Sequence, residues 1–340
     1  ALLMSRGLAY DSDEGRNFAA AITSLMSGHC YYQSAKVAEA MEPFRYYKLN
    51  EKPFLKVIGM HRDHAYAVST AGVPQDLLAE SRRAWDNALE YGMAHGFKNA
   101  QISVLAPTGT IGFLMDCDTT GIEPDIALVK YKWLVGGGLM KIVNGTVAEA
   151  LRRLGYDEQQ RRDITGYLDK NDTIEGAPHL KEEHLPVFDC AFKPAKGSRT
   201  IHAMGHIRMM AAVQPFISGA ISKTVNLPAD ATVEDVEKAY VESWKLGLKA
   251  VAIYRDGSKG QQVLTTTSEK NEDKVRREKT TAATVREAQA TAAAAERAPV
   301  AEPTPVRVEY KPLRRRLPDE RRSLTHKFSI ASHEGYITVG

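Results

Sequence analysis

The stretch Gln101-Ile-Ser-Val-Leu-Ala-Pro-Thr-Gly-Thr-Ile-Gly112, followed at once by Phe113-Leu-Met-Asp-Cys-Asp-Thr-Thr-Gly-Ile-Glu-Pro-Asp125, decides how the rest of the chain is read. It begins with a β-branched apolar run that reads as a buried strand over 100–105. The run breaks at Pro107-Thr-Gly-Thr110, where a turn can aim free backbone N–H groups and two hydroxyls at one small anion. Pro107, Thr108, Gly109, Thr110 and Ile111 are therefore candidate phosphate ligands. The same residues also read as an ordinary turn with a threonine as helix cap. The stretch holds neither the Gly-Lys-Ser/Thr of a Walker loop nor a GxGxxG fingerprint.

Helical patterns flank this strand on both sides. Phe18, Ala19, Ile22, Leu25 and Met26 set a helix within 13–42, and a second apolar period runs over 53–69. Pro74 opens a third helix, with Leu77, Leu78, Trp85, Ala88 and Leu89 on one face and Gly92 and Gly96 punctuating its end. Past the loop, Gly136-Gly-Gly138 marks a turn or a close backbone approach. Residues 142–154 resume a helical pattern that Gly155 stops, and 156–200 read as polar and irregular. A helix over 204–216 breaks near Pro215 and leads into an apolar segment at 217–225. Thr232-Val-Glu-Asp235 has the form of a capping box whose helix ends at Gly247, and a strand over 249–254 then turns at Arg255-Asp-Gly-Ser258. Helix followed by short buried strand thus occurs at 75–105 and again at 232–254. That repeat predicts the outer helices and inner strands of an α/β barrel or a doubly wound sheet.

The chain has 340 residues, 43% of them hydrophobic, enough to bury a sizeable core. A formal charge of +3, with acidic and basic residues interspersed, gives no basic face on the scale that nucleic acid requires. Three cysteines without CxxC spacing point to a reducing, cytoplasmic setting, and there is neither a signal-peptide pattern nor an apolar run long enough to span a membrane. Residues 265–310 are Thr, Ala, Glu, Lys, Arg and Pro with almost no large apolar side chain, a composition that predicts a disordered linker. A separate small module is expected from 311, and 328–340 reads as a pair of strands that stops in mid-pattern. With Ala1 in place of an initiator Met, this predicts a piece of a longer protein.

Other residues invite weaker readings. Cys117, between Asp116 and Asp118, is disfavoured as a nucleophile because adjacent carboxylates oppose a thiolate, and Cys30 and Cys190 read as buried small residues. His202 and His206 have helical i, i+4 spacing but no matched acidic or cysteine partner, so no metal site is expected. His61, Asp63 and His64 read as a solvent-facing group, and Lys223 in Ser222-Lys-Thr224 as a solvated residue after a strand, with contact to an anion as the other option.

Taken in order, Ala106-Pro-Thr-Gly-Thr-Ile-Gly112, Asp116-Cys-Asp-Thr-Thr-Gly-Ile-Glu-Pro-Asp125, Gly136-Gly-Gly138, Met204-Gly-His-Ile-Arg-Met-Met-Ala-Ala-Val-Gln-Pro-Phe-Ile-Ser-Gly-Ala-Ile-Ser-Lys-Thr-Val-Asn226 and Ala252-Ile-Tyr-Arg-Asp-Gly-Ser-Lys259 resemble the adenosylcobalamin-dependent, class II ribonucleotide reductases. The resemblance spans 1–264 and resumes at Arg314-Arg-Arg-Leu-Pro-Asp-Glu-Arg321 through Gly340. It implies an α/β fold: residues 1–264 as the C-terminal portion of a ten-stranded α/β barrel, 265–310 as linker, and 311–340 as the start of an accessory C-terminal domain. It also implies that Pro107, Thr108, Gly109, Thr110 and Ile111 bind the phosphates of a ribonucleotide, with the diphosphate favoured. The implied reaction replaces the ribose 2′-hydroxyl by hydrogen, begun by homolysis of the cobalt–carbon bond of adenosylcobalamin and relayed through a thiyl radical. A thioredoxin-type reductant and a homodimer are the implied partners.

The departures limit what is carried over. The family's radical cysteine lies in an Asn-x-Cys-x-Glu loop, and cysteine pairs reduce the sugar and restore the enzyme. Cys30, Cys117 and Cys190 sit in none of these contexts, so no catalytic residue is expected within this chain. A non-catalytic nucleotide-binding or regulatory module is the alternative.

Overall fold

The computed structural model describes residues 1–133, 139–258, 264–265, 324–330 and 333–339. The triple glycine at 136–138, nearly all of the expected linker and the expected start of the accessory module lie outside them. The chain divides into two compact units, 1–278 and 279–340.

The first unit opens with a single turn, α1 (Leu2–Ser5), and a long helix, α2 (Asp13–Met41). The Ser12 hydroxyl accepts the Gly15 N–H at 3.0 Å and so satisfies one of the orphan donors at the start of α2. Small residues line its buried face, among them Ala21, Ser24, Gly28 and Ala35. This lets α4 (Gln75–His95) come close, for a Cβ on Gly28 would stand 3.0 Å from the Trp85 ring. Helix α3 (Tyr47–Ala67), between them in sequence, packs mainly on α4. Tyr31, Tyr47, Phe54, Trp85, Phe97 and Phe216 fill the space where the three helices meet, with ring pairs such as Phe54–Phe97 at 5.1 Å. Helix α4 starts after Pro74 and ends at Gly96, whose φ of +73° a glycine adopts without strain.

The expected strand over 100–105 is extended but is not a regular strand. Its one bridge is parallel, Leu105 to Ile221. The Ser218 hydroxyl accepts the N–H groups of Ile102 and Ser103 at 3.1 and 2.9 Å, doing what a neighbouring backbone carbonyl would do in a ladder. Backbone pairing takes over only beyond it, from Gly219 N–H to Ser103 O at 2.8 Å and from Ser222 N–H to Leu105 O at 2.8 Å. Helix α5 (Gly109–Leu114) follows.

Residues 126–201 build a second core. Strands β1 (Val129–Trp133) and β2 (Leu139–Val143) pair antiparallel, from Val129 opposite Val143 to Trp133 opposite Leu139. Here the helical pattern expected over 142–154 begins as strand and becomes helix only in α6 (Thr146–Arg153). The reading of 156–200 as irregular is also corrected, because α7 (Glu158–Asn171) lies inside it. Only Ile164 and Leu168 of α7 are buried, so its apolar stripe is too thin to stand out, although Asp157 and Gln160 form a full capping box. Val147, Leu151, Ile164, Leu168, Phe188 and Cys190 close this core.

The chain then returns to the parallel arrangement. Helix α8 (Ala203–Val213) precedes β3 (Thr224–Leu227), α9 (Val233–Lys245) follows it, and β4 (Ala252–Arg255) pairs parallel to β3, with Thr224 opposite Ala252. As expected, Thr232 and Asp235 cap α9 reciprocally. This βαβ unit, with the 102–105 segment bridged to Ile221 beside it, has the alternation of helix and parallel strand expected of an α/β fold; the ten strands of the expected barrel are not seen among the described residues. Among the described residues no sheet closes on itself: besides β3 and β4 there is an antiparallel sheet in which β5 (Leu264–Thr265) joins β1, and in the second unit the hairpin of β6 (Leu324–Ile330) and β7 (His333–Val339).

Candidate functional site

Residues 107–111 lie where the 102–105 segment ends, just past the parallel bridge from Leu105 to Ile221 and beside the start of β3. Thr108 is the residue before α5 and has φ 52°, in the left-handed region that non-glycine residues seldom occupy. Its side chain makes no capping hydrogen bond, which removes the reading of this threonine as an ordinary helix cap. Pro107, Thr108, Thr110 and Ile111 are exposed, and a Cβ on Gly109 would meet nothing within 4 Å. The N–H groups of Gly109, Thr110 and Ile111 open the helix and have no acceptor within it. The structure thus brings the five candidate residues together on one open surface with their donors uncommitted.

The return limb holds this loop in place. A Cβ on Gly121, which has φ +56°, would stand 2.7 Å from the carbonyl oxygen of Ala106, and one on Gly112 would stand 2.7 Å from Cγ2 of Thr120. A turn closed by Glu123 N–H to Thr120 O at 3.0 Å then points Glu123 inward. Its Oε1 accepts the Thr224 N–H at 2.7 Å, and its Oε2 accepts from Lys223 Nζ at 2.8 Å. Lys223 also donates to the Thr224 carbonyl and to Nδ1 of His206, both at 2.7 Å. An ammonium only donates, so Nδ1 is the accepting nitrogen and the His206 proton sits on Nε2, a buried atom without a partner. Burial lowers the Lys223 pKa while Glu123 opposes the shift, and burial and then the Lys223 charge hold His206 well below the ordinary imidazole value. The Tyr10 hydroxyl donates to the Ile122 carbonyl at 2.9 Å, and burial pushes its pKa well up.

Two more carboxylates pin the same limb. Asp118 accepts the N–H groups of Gly145 and Thr146 at 3.0 and 2.8 Å, together with the Thr146 hydroxyl, and so caps α6. Burial opposes its charge, but these hydrogen bonds outweigh it and leave the carboxyl below its ordinary value. Asp125 accepts from Lys130 at 2.7 Å and from Asn144 at 2.6 Å, all three buried.

Several sequence readings are corrected. Lys223, read as solvated, is 2% exposed because it sits just before β3, between His206 of α8 and Glu123 of the return limb. His61, read as solvent-facing, is buried against the rings of Tyr31 and Trp85 and donates from Nδ1 to the Pro215 carbonyl. His202 caps α8 by accepting the Met204 N–H at 3.2 Å. Cys30 is exposed rather than buried, Cys117 is exposed too, and Cys190 is buried with its thiol pushed well up by desolvation. The partnership of Glu123 with Lys223 was missed, since nothing local joins residues a hundred positions apart.

A family model described as ribonucleotide reductase, barrel domain, matches residues 1–254. A vitamin B12-dependent ribonucleotide reductase of Rhodopirellula baltica is 53% identical over 339 residues, which is all of this chain and 31% of that protein. The protein of the same name from Streptomyces coelicolor is 50% identical over 342 residues, all of this chain and 33% of its own length. A vitamin B12-dependent ribonucleoside-diphosphate reductase of Mycobacterium tuberculosis is 36% identical over 195 residues, 57% of this chain and 26% of that protein. The chain spans about a third of the length of the first two relatives. With the barrel-domain model covering every element from α1 to β4 but the last residue of β4, the chain belongs to the ribonucleotide reductase family.

Proposed function

We propose that this chain is part of a cobalamin-dependent ribonucleotide reductase that converts ribonucleoside diphosphates to 2′-deoxyribonucleotides, and that Pro107, Thr108, Gly109, Thr110 and Ile111 hold the substrate's phosphates. The observation that carries the loop assignment is the left-handed Thr108, which opens α5 without capping it and leaves two hydroxyls and three N–H groups for a ligand. Family membership and the relatives' names support the reaction class, and the Mycobacterium tuberculosis relative's name supports the diphosphate. In this reading residues 1–264 contribute to the catalytic barrel, 265–310 link it onward and 311–340 begin an accessory module.

The loop's work is positioning. Several converging donors fix a diphosphate, and with it the ribose, so that a reacting group elsewhere in the protein meets the sugar in one geometry. None of the three cysteines is assigned radical chemistry: Cys190 is enclosed with a raised thiol pKa, and Cys30 and Cys117 lie on the surface. Adenosylcobalamin is proposed as the cofactor of the parent protein, supported by the relatives' names.

Calorimetric titration of the intact gene product with CDP tests the assignment. Thr108→Ala combined with Thr110→Ala is expected to weaken CDP binding by about 1–3 kcal/mol for each charge-assisted bond lost. Unchanged affinity removes the loop from the site.

A further inference from the structure

Lys223 is enclosed by the protein, and each of its three ammonium protons has its own acceptor: Glu123 at 2.8 Å, His206 at 2.7 Å and the Thr224 carbonyl at 2.7 Å. Such a tripod leaves no donor for a ligand. It also fixes the direction in which Glu123 must lie, because any other position leaves a buried charge unpaired. The second oxygen of Glu123 is bound to the Thr224 N–H at 2.7 Å, so the carboxylate is gripped from both sides. A buried ion pair is weak evidence for stability, since an apolar pair of similar volume often does as well. What an apolar pair does not reproduce is the fixed geometry.

That geometry leads to the loop in a few covalent steps. Glu123 closes the turn from Thr120, Thr120 abuts Gly112 of α5, and Gly121 abuts the Ala106 carbonyl at the loop's entrance. Both contacts would admit no extra methyl group, so a displaced turn carries the loop with it. We propose that the buried Glu123–Lys223 pair, braced by His206, is the positioning element of the phosphate loop, setting where the Thr108 and Thr110 hydroxyls and the helix-opening N–H groups point. This rests on the assignment of residues 107–111 to substrate phosphates. Glu123 and Lys223 are positioning residues that act through the loop and do not touch the nucleotide.

The test is CDP titration of the intact gene product carrying Lys223→Met, Glu123→Gln, the Thr108→Ala/Thr110→Ala pair, or Lys223→Met added to that pair, with folding checked by circular dichroism and thermal melting. In a folded protein Lys223→Met is expected to weaken CDP binding by about tenfold or more, the scale on which small misplacements act, and Glu123→Gln by a smaller factor. Added to the threonine pair, Lys223→Met is expected to cost less than about twofold further, because residues acting through one another are not additive. Unchanged affinity in folded Lys223→Met or Glu123→Gln overturns the proposal, and so does a full multiplicative loss in the combined variant. Should Lys223→Met fail to fold, the near-isosteric Glu123→Gln decides by the same titration. If the threonine pair alone leaves affinity unchanged, the loop assignment falls and this inference with it. A weakened threonine pair beside unaffected Glu123 and Lys223 variants removes only the inference.

Discussion

Nζ of Lys223 lies 2.8 Å from Oε2 of Glu123 across a separation of one hundred residues, and the pair ties the return limb of residues 116–125 to the start of β3 in the parallel pair. On one side of that joint is the buried ladder that defines the fold. On the other is an exposed loop whose donors face solvent. On the proposed assignment, the loop's placement rests on this buried pair, which reaches it through Thr120 and Gly121.

The two glycines of α5 should respond in opposite ways. Gly109→Ala adds a methyl group to open space and is expected to leave the melting temperature unchanged or raise stability by about 0.4–1 kcal/mol. Gly112→Ala forces its Cβ to within 2.7 Å of Thr120 and is expected to destabilise by about 1–3 kcal/mol. Thermal melting of both variants checks this, and equal effects would contradict the packing of α5 on Thr120.

Stability should fall on mild acidification. Burial holds His61 below the ordinary imidazole value, and burial together with Lys223 does the same for His206. The unfolded chain thus binds protons that the folded chain refuses as the pH drops through the ordinary histidine value of about 6.5. Each histidine then contributes a slope of at most about 1.4 kcal/mol per pH unit. Urea unfolding across this range should show the decline, and His206→Gln should make it shallower. A flat profile contradicts the burial of both rings.

Asp118 behaves in the opposite sense. Its folded carboxyl titrates below the ordinary aspartate value of about 3.9, so its contribution is complete at neutral pH and is lost only as the pH falls below that value. Asp118→Ala removes the cap of α6 and is expected to cost about 0.5–2 kcal/mol. Denaturant unfolding at neutral pH measures it; no change would mean that Asn144, whose side-chain oxygen also accepts the Thr146 N–H at 2.9 Å, suffices as the cap.

Local patterns made much of this legible. Pro74 and Gly96 bound α4 as read, Thr232 and Asp235 cap α9 as read, and the alternation of helix with short strand gave the α/β layer. The loop was found because Pro107-Thr-Gly-Thr110 interrupts an apolar run. Tertiary substitutions for local rules were not legible. Ser218 supplies with a hydroxyl the bonds expected of a strand neighbour, so 102–105 lacks regular strand geometry. Lys223 looks solvated until Glu123 and His206, from two other segments, are placed around it. The antiparallel pairing of β1 with β2 was not read, although Val129-Lys-Tyr-Lys-Trp133 alternates apolar and charged residues as a half-buried strand does.

The central claim is that residues 107–111 hold the phosphates of a ribonucleotide, and a crystal structure of the intact gene product with CDP tests it most directly. Phosphate oxygens at about 3 Å from the Thr108 and Thr110 hydroxyls and the N–H groups of Gly109 to Ile111 are the predicted result. A diphosphate bound elsewhere, with this loop facing only water, would contradict it.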